Sequence, residues 1–116
     1  MKAAIIGPRN HGLTYEQFDA LVRKISFKQD ITIVSGGAKG IDSFAEEFAR
    51  KNNIPTEIYK PDYSTYGRIA PIVRNNLIAE SADMCIAFVN DTCKGTLDTI
   101  KKFEKAGKFV YKIKID

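Results

Sequence analysis

The chain has 116 residues, 44% of them hydrophobic and 28% charged, with a formal net charge of +4, which suits one domain spanning residues 1–116 around one buried core. No apolar run is long enough to cross a bilayer and no signal-peptide core follows the first residues, so a cytoplasmic protein with no membrane partner is expected. Two cysteines, Cys85 and Cys93, and one histidine, His11, form no metal-ligand spacing, so neither a metal nor another cofactor is expected.

Ala3-Ala4-Ile5-Ile6 reads as a short buried strand stopped by Gly7-Pro8. Thr14-Tyr15-Glu16-Gln17 matches a capping box, and Phe18, Leu21, Val22 and Ile25 then repeat on one helical face. A second strand, Ile31 to Val34, runs into Ser35-Gly36-Gly37-Ala38-Lys39-Gly40-Ile41-Asp42. The following helix carries Phe44, Ala45, Phe48 and Ala49 inward and ends at Asn52-Asn53, before a third strand at Thr56 to Tyr59. Lys60 to Arg68 is the longest stretch expected to be irregular. Pro71 suits the first turn of a third helix, reaching about Ser81 with Ile69, Val73 and Leu77 inward. Asp83 to Val89 is apolar nearly throughout, as a central parallel strand should be. After a loop from Asn90 to Lys94, Gly95-Thr96 opens a last helix with Leu97, Ile100 and Phe103 inward; Ala106-Gly107 caps it and Phe109 to Ile115 is a fifth strand. This alternation predicts an α/β fold, a Rossmann-like three-layer α-β-α sandwich with a five-stranded parallel sheet.

In such a sheet ligands bind beyond the carboxyl ends of the strands, where strand order reverses. Four segments are expected there: Gly7 to Asn10, residues 35–42, Lys60-Pro61, and Asn90 to Thr96. A strand, a turn with three glycines and a helix start within 35–42 favour an anion, because free amides and the helix dipole point at it. The loop is neither a P-loop, since no Gly-Lys-Ser/Thr closes it, nor a GxGxxG turn. Candidate ligand-binding residues are Gly7, Arg9, Ser35, Gly36, Gly37, Ala38, Lys39, Gly40, Asp42, Arg74, Asn75, Gly95 and Thr96. Arg9 suits bidentate contact with a phosphate or carboxylate. Asp42 is double-edged: it complements its own helix dipole and repels a phosphate placed too near. Residues 101–116 hold six lysines against Glu104 and Asp116. They allow a nucleic-acid patch, but the simpler reading is cations on a helix end and along an edge strand.

Gly36-Gly37-Ala38-Lys39-Gly40-Ile41-Asp42, Arg74-Asn75, Ala82-Asp83 and Lys94-Gly95-Thr96 resemble the SLOG superfamily, in particular its small YspA-like branch. The resemblance runs from Ile5 to about Val110. Relatives include the DprA/Smf DNA-processing proteins and the LOG-type phosphoribohydrolases. It implies a Rossmannoid domain that binds a nucleotide or nucleotide-derived small molecule as a sensor or carrier, often as a homo-oligomer, in phages or bacteria. By the same resemblance Gly95-Thr96 match the phosphate-facing loop, and Arg74 stands where LOG enzymes have the arginine of an Arg-Lys pair, with Asn75 in place of the lysine. LOG enzymes carry Pro-Gly-Gly-x-Gly-Thr followed by acidic residues; here Asp91-Thr92-Cys93-Lys94-Gly95-Thr96-Leu97-Asp98-Thr99 lacks two of the glycines. Asp98 stands at the glutamate position, one methylene shorter, as the candidate catalytic carboxylate for N-glycosidic cleavage. Whether the chain is an enzyme is left open. The alternatives to nucleotide binding are a LOG-type N-glycosidase acting on nucleoside monophosphates and a DprA-like single-stranded DNA binder, whose nucleic-acid partner finds weaker support in the sequence.

Overall fold

Apolar residues on successive strands alternate between two helical layers in a computed structural model that describes residues 1–25 and 30–115. Strands β1 (Lys2–Ile6), β2 (Thr32–Ser35), β3 (Thr56–Ile58), β4 (Met84–Val89) and β5 (Phe109–Lys114) form one parallel sheet in the order β3-β2-β1-β4-β5. Strand order reverses beside β1: the chain steps outward through β2 and β3, then returns to place β4 on the other side of β1. Register is set by pairs such as Ala4 with Val34 and Ile5 with Ile86.

Ile5, Ile33, Ile86 and Phe88 face helices α1 (Tyr15–Arg23) and α2 (Ile41–Lys51), meeting Phe18, Val22, Ile41, Ala45 and Phe48. Phe18 stacks on Phe88 with ring centroids 5.1 Å apart. Ala4, Ile6, Val34, Cys85 and Ala87 face α4 (Ala70–Ser81) and α5 (Lys94–Lys105), meeting Ile78, Ala79, Ala82, Ile100 and Phe103. A side-chain period of two on strands buried from both sides produces this division. The Thr14 capping box forms: Gln17 N donates to Thr14 Oγ1 at 3.1 Å and Thr14 N to Gln17 Oε1 at 2.9 Å. Asn53 and Gly107 take positive φ where α2 and α5 end.

Three sequence expectations change. The segment expected to be irregular is so only over residues 60–62: Asp62 accepts from the Thr65 amide (3.2 Å) and the Ser64 hydroxyl (2.7 Å), nucleating α3 (Tyr63–Tyr66), and a 3₁₀ turn over Gly67–Ile69 leads into α4. The inner face of α4 is Ala70, Asn75, Ile78 and Ala79, whereas Ile69 and Leu77 are 56% and 43% exposed. Apolar residues lie nearly all round this helix, so periodicity does not choose a face. Tertiary packing chooses it instead: Ile78, Ala79 and the following Ala82 join Ala4 of β1 and Ala87 of β4 in one buried cluster. On α5, Thr96 and Thr99 are buried and Leu97 is exposed. No helix among the described residues is long and apolar enough to cross a membrane.

Candidate functional site

At the carboxyl ends of β1, β2 and β4 the loops enclose a cleft of about 490 Å³, a volume suited to a small-molecule ligand. Gly7 and Arg9 come from the loop after β1, Gly37, Ala38 and Asp42 from the turn between β2 and α2, and Gly95 and Thr96 from the first turn of α5. The start of α4 closes the far side with Pro71, Arg74 and Asn75, and Pro61 and Tyr63 stand at the edge. Nine of the thirteen candidate residues therefore line one cleft. Ser35, Gly36, Lys39, Gly40 and the carboxylate candidate Asp98 are not part of its wall.

Three of the four loop residues, Ser35, Gly36 and Gly40, shape the wall from behind. Gly40 has φ +80°, and a Cβ there would lie 2.5 Å from the Pro8 carbonyl oxygen and 2.6 Å from that of Arg9. Only glycine fits, and its absent side chain lets the first loop dock on the second. Gly36 is pressed between the Arg74 guanidinium and the Asp42 carboxylate; a Cβ would come within 2.6 Å and 2.8 Å of them. Ser35 is fully buried, and its hydroxyl donates to Glu46 Oε2 at 2.9 Å and receives the Gly37 amide at 3.3 Å. Lys39 is exposed.

The anion position at the start of α2 is filled by the protein's own carboxylate. Asp42 is 6% exposed, and its Oδ2 accepts from the Ala38 amide at 3.3 Å. The amides of Gly37 and Ala38, expected to face a ligand phosphate, are thus turned inward. Burial pushes the Asp42 carboxyl up to about 6, against the opposing pull of the Ala38 amide and Arg74. The start of α5 is arranged the opposite way. Its N-cap, Cys93, makes no side-chain cap hydrogen bond, and its first turn carries no acidic residue. Thr96 is 7% exposed, and its hydroxyl has no hydrogen-bond partner among the described residues. Free amides, an unopposed dipole and the hydroxyl of a buried residue therefore converge on the cleft from α5.

Two consecutive residues of α4 join these two ends. Arg74 Nη1 donates to the Gly36 carbonyl, and Arg74 Nε donates to Asn75 Oδ1 at 2.9 Å. Asn75 Nδ2 in turn donates to the Gly95 carbonyl at 3.4 Å and Asp98 Oδ2 at 3.1 Å. Burial lowers the Arg74 pKa while Asp42 raises it, yet a guanidinium stays charged, and Arg74 keeps unused donors beside the cleft. Asp98 is held by Lys102 at 2.6 Å. Burial alone would lift this carboxyl, but hydrogen bonds from Lys102 and Asn75 bring it below its ordinary value.

The wall also contains residues that sequence reasoning missed. Cys93 donates its thiol to the Asn90 carbonyl at 2.9 Å, and Thr99 Oγ1 donates to Gly95 O at 3.2 Å. The pair Thr96 and Thr99, three apart on one helix, was a legible signal of a polar inner face. Three of the six lysines of the basic C-terminal segment are engaged within the fold. Lys102 pairs with Asp98, Lys112 with Glu104 at 3.2 Å, and Lys108 donates to the α4 carbonyls of Ala79 and Glu80 at 2.6 and 3.2 Å. Asp116, counted in that segment's charge, lies outside the described residues.

A family model for the YspA, cpYpsA-related SLOG family (YAcAr) matches residues 4–66. The Gene 61 protein of Mycobacterium phage D29 is 31% identical in an alignment of 83 residues that covers 66% of this chain and 66% of that protein. DNA processing protein A (DprA) from Streptococcus pneumoniae superposes with a TM-score of 0.73 at 21% identity, over 96% of this chain and 49% of that one. The DprA from Helicobacter pylori, studied for its single-stranded DNA binding mode, gives 0.75 at 24% identity, over 97% of this chain and 64% of that one. The chain therefore spans about half to two thirds of the length of these relatives, and at such identities the two structures bear on the fold alone. The matched residues run from β1 through the first glycine loop to α3, and the chain belongs to the YspA, cpYpsA-related SLOG family.

Proposed function

We propose that the cleft binds a nucleotide or nucleotide-derived ligand, with its phosphate on the first turn of α5 and Arg9 supplying charge. One observation carries this reading: at an uncapped helix start, the hydroxyl of buried Thr96 has no partner among the described residues. A phosphate satisfies that hydroxyl and the adjacent amides together, and the dipole favours it. Tyr63, 62% exposed at the edge of the cleft, offers a face on which a base can stack. Asp98, engaged by Lys102 and Asn75 away from the wall, favours binding over cleavage by that carboxylate.

The test is a thermal-shift screen of nucleoside mono-, di- and triphosphates, cyclic nucleotides and ADP-ribose derivatives on wild type and Arg9→Ala. A ligand at a hundred times its Kd stabilises the fold by about 2.7 kcal/mol. Arg9 is exposed and has no ion-pair partner among the described residues, so its removal should abolish the shift and leave the unliganded midpoint in place. No shift with any of these compounds at millimolar concentration sinks the reading.

Single-stranded nucleic acid is the second reading, favoured by a different observation. Tyr63 lines the cleft, and exposed Tyr66, Lys39, Lys60, Arg68 and Lys94 lie in the segments that follow β2, β3 and β4, the four cations having no ion-pair partner among the described residues. Aromatic faces interleaved with cations suit stacked bases and a phosphate backbone. The DprA neighbours lend it fold-level support. Oligonucleotide affinity that falls steeply with salt supports it, and a flat salt dependence opposes it.

A further inference from the structure

The cleft has two chemically opposite ends, and the assignment of a nucleotide to it leaves their separate tasks open. One end is the first turn of α5, without acidic side chains and with the unpartnered Thr96 hydroxyl. The other is Asp42, an acceptor-only carboxylate set into the first glycine loop. We propose that Asp42 receives the sugar hydroxyls of the ligand, so that the cleft selects a ribonucleotide with its phosphate on α5 and its ribose against the first glycine loop; this rests on the nucleotide reading of the same cleft.

Three observations support this orientation. Asp42 occupies the place a phosphate would need at the start of α2 and takes the Ala38 amide for itself, so an anion at that end meets a like charge. Its second oxygen, Oδ1, has no hydrogen-bond partner among the described residues, although the residue is 6% exposed and lines the cleft. That oxygen is not sealed inside the protein; it belongs to the cleft wall, where a ligand donor can reach it. Finally, Arg74 and Asn75, bonded to each other, connect Gly36 at the Asp42 end to Gly95 at the α5 end. The two ends are therefore two side chains apart. In a nucleoside 5′-phosphate the ribose is the group next to the phosphate and the base lies beyond it. Sugar hydroxyls, and not the more distant base amines, fall within reach of Asp42 when the phosphate is on α5.

Calorimetric titration of the full chain with the four ribonucleoside 5′-monophosphates and their 2′,3′-dideoxy counterparts tests this directly. A hydrogen bond to a charged carboxylate predicts that the best ribonucleotide binds roughly tenfold or more tightly than its dideoxy form. Asp42→Asn should shrink that ratio and Asp42→Ala should bring it to within about threefold, with Thr96→Val weakening both ligands alike. If ribo- and dideoxynucleotides bind wild type within about threefold of each other, the nucleotide reading stands and the role of Asp42 is overturned. If neither binds at millimolar concentration, the nucleotide reading falls and the inference with it. The wild-type comparison needs no variant, so it decides the matter even where a substitution fails to fold.

Discussion

Replacing Asp42 by asparagine should make this protein more stable. The native carboxyl is shifted from 3.8 to about 6, and burial is the chief cause. Because the folded value lies above the unfolded one, the native state binds more protons between roughly pH 4 and 6, and stability falls as pH rises through that window. A shift of about two pKa units at 1.36 kcal/mol each leaves roughly 3 kcal/mol of destabilisation at pH 7. Asparagine is nearly isosteric, carries no charge to desolvate and keeps an oxygen for the Ala38 amide. It gives up a favourable charge at the start of α2, worth about 0.3–1 kcal/mol, so the net gain is roughly 2 kcal/mol. With an unfolding entropy of about 2.1 cal/mol/K per residue, that gain raises Tm by about 8 °C. The ionisable groups facing Asp42 are Arg74 from α4, Glu46 one turn along α2 and the Cys85 thiol from β4. Burial pushes that thiol up, so it stays neutral through the window. Urea unfolding of wild type and Asp42→Asn at pH 4, 5, 6 and 7 should therefore show a gain that vanishes towards pH 4. A variant less stable than wild type at pH 7, or a gain independent of pH, would refute the reasoning. A buried carboxylate kept at this cost to the fold is the pattern expected where function opposes stability.

Two glycines of the cleft should behave in opposite ways. Gly40→Ala combines a positive φ with backbone oxygens inside 3 Å of the new Cβ, and a loss of about 2–3 kcal/mol or more in chemical denaturation is expected. Gly95→Ala meets nothing within 4 Å and lies in the first turn of α5, so stability should hold or rise by up to about 1 kcal/mol, while any phosphate approaching that turn binds more weakly. Lys108→Ala removes the cation that reaches the terminal carbonyls of α4. It should cost about 1 kcal/mol, read as a shift in the urea midpoint with unchanged m-value.

Alternation of apolar runs with short turns was enough to establish the five parallel strands and their covering helices, because the central strands β1, β2 and β4 are buried on both faces while β3 and β5 form the more exposed edges. Local chemistry also placed several helix ends, including the Thr14 box and the Asn53 and Gly107 stops. The gathering of the loops after β1, β2 and β4 was legible too, since a reversal of strand order beside β1 leaves them on one rim. What depends on contacts between distant residues was not. The inner face of α4 was decided by which residues join the buried cluster with β1, β4 and α5, and the helix's own pattern is nearly uniform around its axis. Asp42 and Thr96 are 54 positions apart in sequence, and only their shared cleft shows that a carboxylate takes up a backbone amide of one loop while the first turn of the other carries no acidic residue and no side-chain cap. Sequence places glycines and helix starts because those obey short-range rules; the division of labour between the two loops follows from which amides the folded chain leaves free.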